Sequence, residues 1–229
     1  LGGRLDATNI INPVLSVITN IGRDHTEILG ETIEAISREK AGIIKENIPV
    51  IVGESHPASA PVFMEYSKRN NSPLTFADKV YRIDYSLMSI DDYQVFNVKK
   101  GEDIRYTNLK CGLLGNYQRK NAITVLAALD VLCSFFPDIN EKSRYQGIRN
   151  VTRNTGLQGR WQIIRSNPKV ICDTAHNADG LNQVIQQLNN TPFKRLHLIL
   201  GFVNDKDVDA ILKYLPARAV YYFVRLSVP

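Results

Sequence analysis

The sequence predicts an α/β protein: a parallel sheet with helices and a small antiparallel meander, followed by a second domain of βαβ type. Short β-branched runs alternate with helical segments over residues 14–76 and again over 170–224, the rhythm of parallel strands joined by crossover helices. Between them, residues 79–114 switch to alternating apolar and polar residues broken by polar and glycine-containing turns. That pattern belongs to antiparallel strands with one wet face.

The first strand covers Val14 to Thr19 and runs into Asn20-Ile21-Gly22-Arg23-Asp24-His25. This loop follows the carboxyl end of a strand, where open α/β sheets bind ligands. Thr32 N-caps a helix from Ile33 to Lys45, with Ile33, Ile36, Ile43 and Ile44 as its apolar positions and Glu39 and Lys40 near its middle. Pro49 to Gly53 reads as a second strand, Ala60 to Asn70 as a helix and Leu74 to Phe76 as a third strand. Val80–Ile83, Tyr93–Val98 and Ile104–Tyr106 form the meander. Gly115-Asn116-Tyr117-Gln118 opens a helix with Ala122, Val125, Leu126, Leu129 and Leu132 on its apolar face, ended near Phe135 by Pro137. Thr152 to Gly159 reads as a domain junction. Beyond it come a strand at Val170–Cys172, the loop Asp173-Thr174-Ala175-His176-Asn177, a helix at Ala178–Leu188, a strand at Leu196–Gly201, a helix at Asp207–Leu215 and a strand at Ala219–Val224.

The 229 residues suffice for one large domain or two modest ones. Hydrophobic residues make up 44% and charged residues 22%, ordinary for a soluble globular protein. No apolar run is long enough to span a bilayer and no secretory signal is visible. The chain opens at Leu1 without an initiator Met, so the expectation is an incomplete N-terminus. Cys111, Cys133 and Cys172 are widely separated and form no CxxC or Cys/His cluster, which argues against zinc and fits a reducing, cytoplasmic compartment. The net charge of +5 comes from dispersed Lys and Arg; it suits anionic small substrates better than nucleic acid.

Taken singly, the strand-end residues say little. Asp24-His25 is a common dipeptide and Lys40 reads as a solvated helix lysine. Asp173 and His176 stand where sites form in α/β sheets. Together the motifs are specific. Gly2-Gly3-Arg4-Leu5-Asp6-Ala7-Thr8-Asn9, Asp24-His25 with Leu29-Gly30, and Glu39-Lys40-Ala41-Gly42-Ile43 resemble the folylpolyglutamate synthase/dihydrofolate synthase family. So do Gly115-Asn116-Tyr117-Gln118 with Asn121-Ala122, Gly159-Arg160-Trp161-Gln162, Asp173-Thr174-Ala175-His176-Asn177 and Asp205-Lys206-Asp207. The family belongs to the wider Mur ligase group. The resemblance implies that residues 1–156 are the rear part of an ATPase-type central domain and 157–229 the front part of a Rossmann-like C-terminal ligase domain.

The implied activity is an ATP-dependent ligase that adds L-glutamate to folates, and possibly to dihydropteroate, as a monomer without nucleic-acid or membrane partners. ATP and Mg²⁺ are the implied cofactors. A substrate carboxylate attacks the γ-phosphate to give an acyl phosphate, and the glutamate amine then displaces phosphate. Both steps gather negative charge, so catalysis is mainly positioning and neutralisation. By resemblance His25 is a Mg²⁺ ligand oriented by Asp24, and Lys40 is the lysine often carbamylated in the family. Gln118 and Asn121 contact the nucleotide, where amides suit a purine edge. Arg160 reaches the ATP phosphates, Asp173 holds the ribose hydroxyls, and His176 stands near the phosphates. Lys206 meets the incoming glutamate or a phosphate.

The sequence departs from the family in two respects. No glycine-rich loop of the GKGS or GKGT type occurs in it, and the acidic Mg²⁺ ligand expected just before the GGRLD motif is absent. The expectation is therefore a fragment lacking the N-terminal phosphate loop and the C-terminal end, without ligase activity by itself. Two other readings stay open: a Mur-type ligase acting on a UDP-linked peptidoglycan precursor, and a non-catalytic binding module that keeps the fold.

Overall fold

The structure is a computed structural model that describes residues 3–22, 29–89, 91–201 and 212–224. It is a mixed α/β protein that divides into two compact units, Leu1–Leu157 and Gln158–Pro229.

In the first unit, β1 (Ser16–Ile18), β2 (Val50–Val52) and β3 (Leu74–Phe76) form a parallel sheet in that order. The connections are α1 (Ile33–Ala41) and α2 (Ala60–Arg69). All three residues of β2 are buried, and the strand period of two sends them to different cores. Val50 and Val52 join Ile18, Ala41, Ile44, Val62 and Phe63 on the side of α1 and α2. Ile51 joins Ala77, Tyr81, Phe96, Leu109 and Leu126 on the other. A strand covered on both faces has to be apolar throughout, as this one is.

The short helix α3 (Ala77–Val80) leads into the meander of β4 (Tyr81–Met88), β5 (Gln94–Lys100) and β6 (Asp103–Cys111), paired antiparallel in chain order. The long helix α4 (Gln118–Phe135) packs its Ala122–Leu126–Ala127 stripe on this sheet. The expected strands thus form, with the meander strands longer than predicted.

Three local expectations are corrected. Helix α1 stops at Ala41, four residues early, so Glu39 and Lys40 occupy its last turn and not its middle. The chain instead tightens into i→i+3 bonds, Ile43 N–H to Lys40 O and Ile44 N–H to Ala41 O. The boundary between the units, Leu157/Gln158, falls inside the expected Thr152–Gly159 junction, but residues 152–155 are helical. They belong to α6 (Val151–Thr155), which follows α5 (Glu141–Arg149) and ends on Gly156 in the left-handed conformation. Asn140 caps α5, accepting from Ser143 N–H at 3.0 Å, while Tyr145 and Ile148 reach the core.

The third correction lies in the second unit. Val170–Cys172 was expected to open a βαβ unit, but β8 (Lys169–Cys172) pairs antiparallel with β7 (Gln162–Ser166). Only Asn167 and Pro168 join them, and a parallel crossover needs a dozen or more residues. Helix α7 (Ala178–Asn189) buries Leu181, Ile185 and Leu188, and β9 (His197–Leu200) pairs parallel with β10 (Val220–Phe223). The helix expected at Asp207–Leu215 falls largely outside the described residues. No helix among the described residues is long and apolar enough to cross a membrane.

One polar cluster ties α4, α5 and the meander together. Asp130 Oδ2 accepts from Tyr81 Oη at 2.6 Å and Lys100 Nζ at 2.7 Å, and Oδ1 accepts from Arg144 Nη1 at 3.0 Å. The same Nη1 donates to Tyr106 Oη at 2.8 Å, and Nη2 to Cys133 Sγ at 2.6 Å. Burial alone would raise the Asp130 pKa, but the bonds from Lys100, Tyr81 and Arg144 outweigh it and hold the carboxyl below its ordinary value. A depressed folded pKa means stability that is complete above the unfolded aspartate value, near 3.9, and lost as pH falls through the folded one. Urea unfolding across pH 7 to 2 should therefore show a loss of stability on the acid side that Asp130→Asn flattens. Asp130→Ala should cost about 3 kcal/mol at pH 7, because Arg144 keeps its charge in a site that is only 10% exposed.

Candidate active site

The two motifs nearest the start of the chain fold against each other. Gly3 takes φ 94°, and Arg4 N–H then donates to Glu39 O at 3.0 Å. The Arg4 guanidinium forks onto the Glu39 carboxylate, with Nε at 3.2 and 3.0 Å from its two oxygens. Asp6 caps the turn Ala7–Ile10, accepting from Thr8 N–H at 2.9 Å and Thr8 Oγ1 at 2.6 Å. Asn9 Nδ2 donates to Arg4 O and to Gly42 O, both at 3.1 Å, and Lys45 Nζ donates to Asn9 O at 2.6 Å. A Cβ on Gly42 would lie 2.4 Å from Arg4 Cβ, so only glycine fits there.

This docking places Lys40 on the last turn of α1, half-buried. Its ammonium has no hydrogen-bond or ion-pair partner among the described residues. The predicted metal ligand His25, with Asp24, lies outside the described residues, as does Lys206. Among the described residues no group of three or more His, Cys, Asp or Glu could hold a metal ion.

Gln118 and Asn121 come together on the first turn of α4. Asn121 Nδ2 donates to Gln118 Oε1 at 2.8 Å, and Gln118 is buried. One residue before Asn121, Lys120 pairs with Glu54 at 2.6 Å.

In the second unit Arg160, Asp173 and His176 meet around one contact. Gly159, at φ 69°, lies against Thr174 so closely that a Cβ there would be 2.4 Å from its Cγ2. Thr174 N–H donates to Gly159 O at 2.9 Å. Asp173 Oδ2 accepts from Trp161 N–H at 2.8 Å and Oδ1 from Ala175 N–H at 2.9 Å. Arg160 Nη1 donates to Gly159 O at 3.2 Å and to Thr174 Oγ1. His176 Nδ1 faces Thr174 O at 3.1 Å. A carbonyl only accepts, so Nδ1 carries the proton and the lone pair of the neutral ring is on Nε2. Asn177 caps α7, accepting from Gly180 N–H at 2.8 Å.

The sequence reading named Lys40, Gln118, Asn121, Arg160, Asp173 and His176, but not the residues that brace them. Arg4, Asn9, Lys45 and Thr174 act across separations of 15 to 36 residues. No local signal announces such partners. The only hint was that Arg4, Asn9 and Thr174 lay in motifs, as did their partners Glu39, Gly42 and Gly159.

The comparisons with known proteins agree along the chain. Residues 2–129 match the Mur ligase middle domain and residues 159–227 the Mur ligase glutamate ligase domain. The dihydrofolate synthase/folylpolyglutamate synthase of Bacillus subtilis (strain 168) is 30% identical over 97% of this chain and 51% of its own length. The Mycobacterium tuberculosis folylpolyglutamate synthase complexed with ADP and AMPPCP is 31% identical with a TM-score of 0.86, over 100% of this chain and 51% of that one. The E. coli FolC in complex with DHPP and ADP is 31% identical with a TM-score of 0.81, over 100% and 51%. The chain thus spans about half the length of the curated relatives it matches.

The two backbone bonds to Asp173 make it a brace as well as a candidate ligand. Asp173→Ala should leave Trp161 and Ala175 N–H without their acceptor and destabilise the second unit by about 1–2 kcal/mol. Amide exchange at those two positions should quicken first. Unchanged exchange there would sink the bracing role.

Proposed function

The chain belongs to the Mur ligase family, and from that premise we propose that the protein carrying it is an ATP-dependent ligase that adds L-glutamate to a folate-type acceptor. The acceptor is a folate, and dihydropteroate where the enzyme also acts as a dihydrofolate synthase. The observation that carries the reading is the likeness of the whole chain to solved folylpolyglutamate synthases with nucleotides bound. Because the chain spans about half of its relatives, the activity is assigned to the whole protein. Residues 1–156 supply the rear part of its ATPase-type central domain and 157–229 the front part of its C-terminal ligase domain. The three cysteines of this chain, all free, suit the cytoplasm, where the protein acts as a monomer.

The roles follow from side-chain chemistry. Gln118 and Asn121 present amides to the base. Asp173, already held by two backbone N–H groups, keeps a fixed orientation while its carboxylate offers further acceptor sites to the ribose hydroxyls. Arg160 has five donors and spends Nη1 on Gly159 and Thr174; the rest of the fork suits phosphate oxygens. His176, proton on Nδ1, turns Nε2 toward the phosphate region. Lys206 meets the incoming glutamate or a phosphate. In the whole protein the substrate carboxylate attacks the γ-phosphate and releases ADP, and the glutamate amine then attacks the acyl carbon of the acyl phosphate and releases inorganic phosphate.

Mg²⁺ bound here would supply charge neutralisation for both steps. Its proposed ligand is His25, oriented by Asp24, beside a carbamate on Lys40. The setting of Lys40 constrains this. A helix C-terminus favours an ammonium and disfavours an anion, so a carbamate there requires a cation next to it. A half-buried lysine with no partner among the described residues is available for that modification.

In the intact protein, glutamate-dependent ADP release should appear with tetrahydrofolate or dihydropteroate and not with a UDP-muramyl acceptor. Turnover with only the last would overturn the folate reading in favour of peptidoglycan chemistry. Lys40→Ala should lower kcat by about 100-fold or more. With ¹³C-bicarbonate, a carbamate carbon signal should grow on adding Mg²⁺, fade with chelator and be absent in Lys40→Ala. A signal indifferent to Mg²⁺ would dissociate the lysine from the metal.

A further inference from the structure

The first turn of α4 carries Gln118 and Asn121, and its own sequence does little to hold it. Tyr117, at its N-cap, makes no side-chain capping bond, and the first turn contains no acidic residue. It carries two cations instead, Arg119 and Lys120. Positive charge at a helix N-terminus opposes the helix dipole. The missing anion comes from far along the chain: Glu54 Oε2 accepts from Lys120 Nζ at 2.6 Å across 66 residues.

Glu54 stands on a backbone fixed on both sides. Before it, Gly53 N–H donates to Ile18 O at 2.8 Å. A Cβ on Gly53 would collide with Thr19 O and lie 2.5 Å from Thr124 Oγ1, so α4 approaches the ends of β1 and β2 as closely as a glycine permits. After it, Ser55 N–H and Oγ donate to Asp78 Oδ2 at 2.9 and 2.7 Å. On the helix, Thr124 Oγ1 donates to Lys120 O at 2.9 Å. Lys120 projects about 100° around the helix axis from Asn121. Gln118 and Asn121, three residues apart, share a face and a hydrogen bond. The ion pair and the amide pair thus leave the same turn in different directions. The Lys120 and Glu54 side chains are 54% and 31% exposed, so their pairing contributes little stability. What it fixes is position.

We propose that Glu54 is a positioning residue: its carboxylate holds Lys120 and so sets the first turn of α4, with Gln118 and Asn121, against the ends of β1 and β2. The inference rests on the reading of Gln118 and Asn121 as nucleotide contacts. Glu54 and Lys120 act through the helix and not by contact with the nucleotide.

The test uses the intact protein. Glu54→Gln and Lys120→Met should each raise the KM for ATP about threefold to fivefold, the upper range for an exposed ion pair, with kcat and the KM for the folate acceptor unchanged. The double variant should be no worse than either single one, because both remove the same interaction. Exchanging the charges, Glu54→Lys with Lys120→Glu, should restore the KM. Without any nucleotide, amide exchange at Arg119 and Lys120 should quicken in Glu54→Gln. Unchanged exchange there would overturn the proposal. So would losses that add in the double variant, since Lys120 would then act on ATP directly. A rise in both KM values with a fall in melting temperature would overturn it too, as the mark of a merely structural bond. An unchanged KM in Glu54→Gln beside a raised one in Asn121→Ala would sink this inference alone. An unchanged KM in Asn121→Ala would overturn the nucleotide reading, and this inference with it.

Discussion

The closest backbone approach near the first site segment is that of Arg4 to Gly42, and much else depends on it. Because no side chain separates them, Arg4 N–H reaches Glu39 O and Asn9 can bridge both strands of the contact. Continuing α1 as a regular helix would carry residues 42–45 away from this position. The helix therefore ends at Ala41 and the chain tightens. The position of Lys40 follows directly: it stands on a last turn whose outgoing carbonyls are held by neighbours rather than by a further turn. The Arg4–Glu39 pair itself is mostly solvent-exposed and contributes little stability; its value is in orientation.

The second unit repeats the same device with different residues. Gly159 and Thr174 touch where a Cβ would collide, and Asp173 and Arg160 close bonds across the contact. In the first unit Gly42 admits the backbone of Arg4, and in the second Gly159 admits the side chain of Thr174. In the second unit the Arg160 and Asp173 side chains are then fixed by hydrogen bonds to backbone groups. Side chains held in this way need little reorganisation when charge develops beside them.

Beneath these loops the scaffold is held in two ways. Val50, Ile51 and Val52 serve two cores from one strand, so the sheet cannot shift without disturbing both. The Asp130 cluster joins the meander to α4 and α5 through charge-assisted bonds. Leaving any of its members unmatched is costly in a partly buried setting.

Periodicity and residue type determined the α/β class, the parallel strands at 16–18, 50–52 and 74–76, the meander and the long helix from Gln118. Each is a local consequence of side-chain alternation, β-branching or capping, and each is legible within about ten residues. The motifs also marked Lys40, Gln118, Asn121, Arg160, Asp173 and His176. The sequence could not supply where α1 stops, that β8 folds back on β7, or that Glu141–Thr155 is helical although mostly polar. Nor could it show that each motif is braced by another. Those outcomes are set by a missing Cβ at Gly42, a two-residue link at Asn167-Pro168 and two apolar anchors at Tyr145 and Ile148. Their partners are far along the chain, and only the tertiary structure brings them within van der Waals reach.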